Sequence, residues 1–182
     1  VNIVGVGNTL MGDDGVGPAL VQHLAARGVP DGVVLHDAGL AAGDVLGRLD
    51  PTDPLVVVDA VRAGGEPGGI VRLRLEARDL FDASGPAEGD KPPMLSLHEV
   101  SVVPALRLEA LAGRVFRDVT AFGVEPGGVD WGEGLSPAVG AALDRLADAV
   151  LRYVVNEPAA AAAGDSSRCR VCGAASQDRV VP

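Results

Sequence analysis

Aromatic residues make up 3% of this 182-residue chain, Lys91 is its lone lysine, and its two cysteines, Cys169 and Cys172, both fall near the C-terminus. Each scarcity excludes something. With few flat side chains and a formal net charge of −10, the surface repels a phosphate backbone and offers little for bases to stack on, so nucleic acid is not an expected partner. No apolar run reaches the ~18–20 residues that a membrane-crossing helix needs, so no membrane association is expected either. The opening residues, VNIVGVGN, show no basic leader and no small-residue cleavage site, and read as a first strand. That makes a cytoplasmic location the expectation. The cysteine pair has the CxxC spacing of a redox or zinc motif. It has no second pair and no histidine after it, so an exposed, incidental pair is expected.

Hydrophobic residues are 47% of the chain and Val, Ala and Leu dominate them. That composition suits a sheet buried on both faces, and the length suits one domain. Residues 1–6 read as a strand, 15–27 as a helix, 32–37 as a strand and 43–49 as a short helix. Residues 54–60, PLVVVDA, form the clearest buried strand, and 69–76 alternate as a half-exposed one. A Pro- and Gly-rich loop covers 82–95. Ser96 and Glu99 have capping-box spacing and predict a helix running to about 112. Arg114 to Val124 reads as a strand, and Ser136–Pro137 open a last helix, 137–155, with Val139, Leu143, Leu146, Val150 and Val154 on one stripe. The expected organisation is one α/β domain over 1–155 and a disordered tail over 156–182. Strands alternating with helices imply a mostly parallel sheet covered on both faces.

The first strand runs into GVGNTLMGDDGVG, which invites comparison with the dinucleotide fingerprint Gly-x-Gly-x-x-Gly. Gly5 and Gly7 fit, but the third position is Leu10, and no Walker lysine follows. Asp13 and Asp14 then place two negative charges where a helix start would otherwise attract phosphate. One of the two suffices as a helix cap, which leaves the other to face the crevice.

Three side chains occupy positions where an α/β fold gathers its chemistry. Asp59 ends the most apolar strand, and ligands of open α/β sheets bind beyond the carboxyl ends of strands. His98 falls in the first turn of its helix, where the positive helix end favours neutral imidazole, the metal-binding form. Asp14 precedes the first helix. Two carboxylates and one imidazole suit Zn, Ni, Mn or Fe, and leave positions open for substrate or water. His23, inside a helix, and His36, in a strand, are expected to be structural. The chain lacks a core cysteine, a Gly-x-Ser-x-Gly elbow and a His-Glu-x-x-His helix, so any hydrolysis would rest on a metal or on carboxylates.

GVGNTLMGDDGVG, VVVDAV and SLHEV, in that order, resemble the hydrogenase maturation proteases, the endopeptidases that process the large subunit of [NiFe] hydrogenases. The resemblance covers about residues 1–155. It implies a twisted, mostly parallel sheet flanked by helices on both faces, a three-layer architecture of the phosphorylase/hydrolase type. It implies removal of a C-terminal extension from the large-subunit precursor once nickel is inserted, with the ion as recognition signal. The family's metal-binding residues fall on Asp14, Asp59 and His98. After the second strand, this chain carries Asp37-Ala38-Gly39-Leu40 where the family usually has Asp-Gly-Gly-Thr or similar. Asp37 keeps its place, and Ala38 and Leu40 depart.

The resemblance implies nickel presented by the substrate, with no tightly bound cofactor in the isolated protein, and a monomer is expected. Either the metal polarises the carbonyl or activates water, or a carboxylate, Asp14 or Asp37, acts as general base. Two rivals remain at this stage: a nickel-sensing assembly factor that docks without cutting, and a nucleotide-binding module of Rossmann type.

Overall fold

The computed structural model describes residues 1–75 and 102–156, with the backbone of 178–179. His98, the 82–95 loop, the helix start at Ser96 and Glu99, and the Cys169–Cys172 pair lie outside the described residues. The described strands are β1 (Asn2–Val6), β2 (Val34–Gly39), β3 (Leu55–Ala60), β4 (Ile70–Leu75), β5 (Val119–Val124) and the two-residue β6 (Asp178–Arg179). The helices are α1 (Val16–Arg27), α2 (Ala42–Leu46), α3 (Val102–Leu111) and α4 (Pro137–Asn156). Among the described residues no helix is long and apolar enough to cross a membrane.

The strands form one sheet in the order β2-β1-β3-β5-β4-β6. β2, β1, β3 and β5 are parallel, whereas β4 runs antiparallel to β5 and to β6. The alternation of side chains along each strand divides the core in two. Val56, Val58, Ala60, Phe122 and Val124 pack with Leu20, Leu24, Leu146 and Val150 of α1 and α4. Leu55, Val57, Val119 and Ala121 pack with Leu46, Val102 and Leu106 on the α2 and α3 side. The sheet is thus the middle layer of three, as the sequence predicts. α4 is fastened to it by a polar contact as well: the Thr120 and Tyr153 hydroxyls, both on buried residues, lie 2.8 Å apart.

Two boundaries differ from the sequence expectation, each for a physical reason. The predicted strand from Arg114 begins only at Val119. Arg114 instead donates to the carbonyls of Leu46 and Leu49, at 3.1 and 2.7 Å, and pairs with Glu109 at 2.6 Å. Its guanidinium thereby ties the segment before β5 to the end of α2 and the turn that follows it. The second strand is shifted toward Val34–Gly39. It takes in Ala38 at a bulge, where the β1 register passes from Asp37 to Gly39.

Candidate active site

The four parallel strands deliver their carboxyl ends to one edge, and the loops leaving them build the candidate site. After β1 the chain makes a 3-10 turn, Gly12–Gly15, before α1 begins. Gly17 lets that helix sit unusually close. A Cβ there would lie 2.2 Å from the Val6 carbonyl oxygen and 2.5 Å from that of Val58. Gly7, at φ +129°, faces the Asp14 backbone carbonyl at a spacing no side chain would allow. Gly7, one of the fingerprint-like glycines, and Gly17 therefore bring the Asp13–Asp14 turn down onto the ends of β1 and β3. The turn packs against β3.

The two aspartates then diverge. The cap position of α1 is held by Gly15, and no side chain caps it, so the capping role expected from the sequence is not what Asp13 performs. Its carboxylate, 1% exposed, accepts N–H groups from Gly127 and Gly128 on one oxygen and from Ser136 on the other, at 2.7, 3.1 and 2.6 Å. These partners belong to the loop joining β5 to α4. Backbone bonds reinforce the junction: Gly12 N–H to the Gly132 carbonyl at 2.9 Å, Gly132 N–H to that of Leu10 at 3.0 Å, and Asp13 N–H to that of Gly128 at 3.2 Å. Asp14, fully buried, accepts the N–H of Asn8 from the loop that follows β1.

Asp59 is the penultimate residue of β3, 7% exposed, and accepts the N–H of Ala60 at 2.8 Å. It follows Leu55 and Val57 on the face that α2 and α3 cover. The structure thus brings Asp14 and Asp59 to the same edge of the sheet. His98, the third expected member, lies outside the described residues. Among the described residues, no three His, Cys, Asp or Glu side chains gather into a metal-holding set. Asp37, near the end of β2 and paired with Gly5 of β1, is exposed to solvent.

The other two histidines have partners away from this edge. His23 Nε2 lies 3.0 Å from Asp144 and links α1 to α4. His36 Nε2 lies 3.0 Å from Asn2 Oδ1, and burial pushes its pKa below the ordinary value. One buried carboxylate escaped the sequence reading. Glu125, directly after β5, accepts the N–H groups of Ala63 and Gly65 at 2.7 and 3.0 Å and holds the loop between β3 and β4. Its local signal, Glu-Pro-Gly-Gly, reads only as a turn.

Comparison with known proteins agrees with this architecture. The model of the hydrogenase maturation protease family matches residues 18–153. The hydrogenase expression/formation protein HoxM of Azotobacter vinelandii is 30% identical over 174 residues, covering 94% of this chain and 80% of its own. The hydrogenase 2 maturation protease of Escherichia coli is 30% identical over 152 residues, covering 82% of this chain and 87% of its own. The solved structure of the hydrogenase maturating endopeptidase HybD from Escherichia coli superposes with a TM-score of 0.68 at 28% identity, covering 85% of this chain and 91% of that one. A nucleotide-binding module is thereby set aside, and the chain belongs to the hydrogenase maturation protease family.

Proposed function

We propose that this endopeptidase removes the C-terminal extension of a [NiFe]-hydrogenase large-subunit precursor, and that it recognises nickel already seated in that precursor. The observation that supports the nickel reading is the placement of Asp14 and Asp59 on a turn and a strand end that pack together at the carboxyl edge of the sheet. Two carboxylates supply hard oxygen ligands, and His98 would add a nitrogen, a mixture that suits a borderline divalent ion. The nickel is part of the substrate in this scheme, and the isolated chain holds no tightly bound cofactor. Asp14 is buried in the free chain, so its contact with the ion requires the docked precursor to open that edge.

Once the precursor is docked, the ion can polarise the scissile carbonyl or activate water. A carboxylate can instead take the proton from the attacking water. Of the two candidate bases, Asp37 is exposed and Asp14 is buried, which favours Asp37 for meeting solvent water and Asp14 for the metal. The chain works as a monomer in the cytoplasm in this reading.

The test incubates the purified chain with nickel-loaded and nickel-free precursor and follows the precursor mass. Loss of the extension is expected from the loaded form alone. Equal cleavage of both forms would overturn nickel recognition, and an unchanged mass in both would favour a docking factor that does not cut.

A further inference from the structure

Three exposed apolar side chains stand in loops that leave the carboxyl ends of parallel strands: Leu10 after β1, Leu40 after β2 and Trp131 after β5, with exposures of 47%, 53% and 81%. Trp131 is the chain's single tryptophan. An exposed tryptophan on a floppy loop would need little comment, but this loop is fastened. Three of its N–H groups end on the buried Asp13 carboxylate, and Met11 and Gly132 form a parallel bridge. Gly132 donates its N–H to the Leu10 carbonyl at 3.0 Å, so Leu10 and Trp131 stand on adjoining segments. A shallow hollow near these segments is lined by Thr9 and Gly12, by Ala19 and Gln22 of α1, and by Gly134 and Leu135 of the loop. With the loop backbone already fastened, less conformational freedom is lost when a partner settles on these side chains, a condition that favours anchoring by aromatic residues.

We propose that Leu10 and Trp131 form the ledge that grips an apolar side chain of the precursor segment flanking the cleaved bond. The occupant follows from continuity: the ledge adjoins the turn that carries Asp14, and Asp13 joins that turn to the loop of Trp131. A segment presented to the carboxylate edge would run beside it. This role deepens the protease reading and rests on it. Trp131 and Leu10 hold substrate and do not touch the reacting atoms.

The test has two arms. In the first, cleavage of nickel-loaded precursor is followed by mass for the wild-type chain, Trp131→Ala, Trp131→Phe and Leu10→Ala. Trp131→Ala should raise KM about tenfold with kcat changed less than about twofold, the pattern of lost uniform binding. Trp131→Phe should recover most of that loss. Because the ring is 81% exposed, neither change threatens folding. An unchanged KM in Trp131→Ala, or a kcat loss without a KM change, would overturn the ledge. The second arm needs neither nickel nor cleavage. A tryptophan-free peptide spanning the cut site is added to the full chain, and acrylamide quenching of Trp131 is measured. Protection by about threefold or more, with a blue shift, is expected for a ring removed from water. A ring still fully quenched at saturating peptide would overturn the ledge. If the wild-type chain cuts no precursor, the protease reading fails, and the quenching arm then decides the ledge alone.

Discussion

Asp13 and Asp14 are adjacent in sequence and both buried, yet they belong to different parts of the molecule's logic. Asp13 reaches a loop more than a hundred residues away in sequence and fastens it with both carboxylate oxygens. Asp14 bonds to Asn8 in the loop that follows β1, and lies where β1 and β3 end. Glu125 resembles Asp13, since it gathers the N–H groups of Ala63 and Gly65 in a remote loop. Asp59 resembles Asp14, bonding its neighbour Ala60 at a strand end. Asp13 and Glu125 fasten loops, and Asp14 and Asp59 stand at the carboxyl edge of the sheet. Burial does not distinguish these four carboxylates, whereas Asp13 and Glu125 each tie down a loop remote in sequence.

Isosteric substitution breaks the comparison open. Asp14→Asn keeps an oxygen for Asn8 but removes the charge that would meet nickel. Cleavage should fall by about a hundredfold or more, with a melting temperature within about 4 °C of wild type. Asp59→Asn should behave alike. Retained cleavage in both variants would remove these residues from the site.

The same change at Asp13 should have the opposite signature. An amide group would point its own N–H at a backbone N–H, because both oxygens of Asp13 already serve as acceptors. Asp13→Asn should therefore cost about 2–4 kcal/mol in denaturant unfolding. Glu125→Gln is expected to be milder, about 1–2 kcal/mol, because the acceptor for Ala63 and Gly65 is one oxygen that an amide carbonyl can replace. If Asp13→Asn unfolds like wild type, the loop is held by its backbone bonds alone.

The smallest effect concerns pH. Burial lowers the pKa of His36 below its ordinary 6.5, so the unfolded chain takes up this proton more readily than the folded one. Stability from this group is complete above about pH 6.5 and declines as the pH falls through that value. Replacing it, as in His36→Gln, should flatten the slope of stability between about pH 5 and 7. An unaltered slope would show that another group sets it.

The sheet was legible because LVVVDA and VTAFGV are short apolar runs whose alternation feeds two helical layers. Asp59 was legible for the same reason, since a carboxylate that ends a buried strand can emerge only at the strand's carboxyl edge. Asp14 could be singled out as one of a pair, but which aspartate served the frame could not. That choice depends on Gly127, Gly128 and Ser136, which pattern reading treats as an unrelated loop. Arg114 was hidden likewise: its tie to Leu46 and Leu49 is a long-range contact that no local periodicity encodes. The bulge at Ala38 shifts β2 by a similarly non-local rule, the register that β1 imposes.

The placement of Asp14 and Asp59 at the nickel, apart from the loop-fastening Asp13 and Glu125, is tested most directly with crystals of the full chain bound to nickel-loaded precursor, using anomalous scattering at the nickel edge. A peak bounded by Asp14 and Asp59, with His98 completing the set, is the result predicted. A peak at Asp13 or Glu125, or nickel bound away from the carboxyl edge of the sheet, would contradict it.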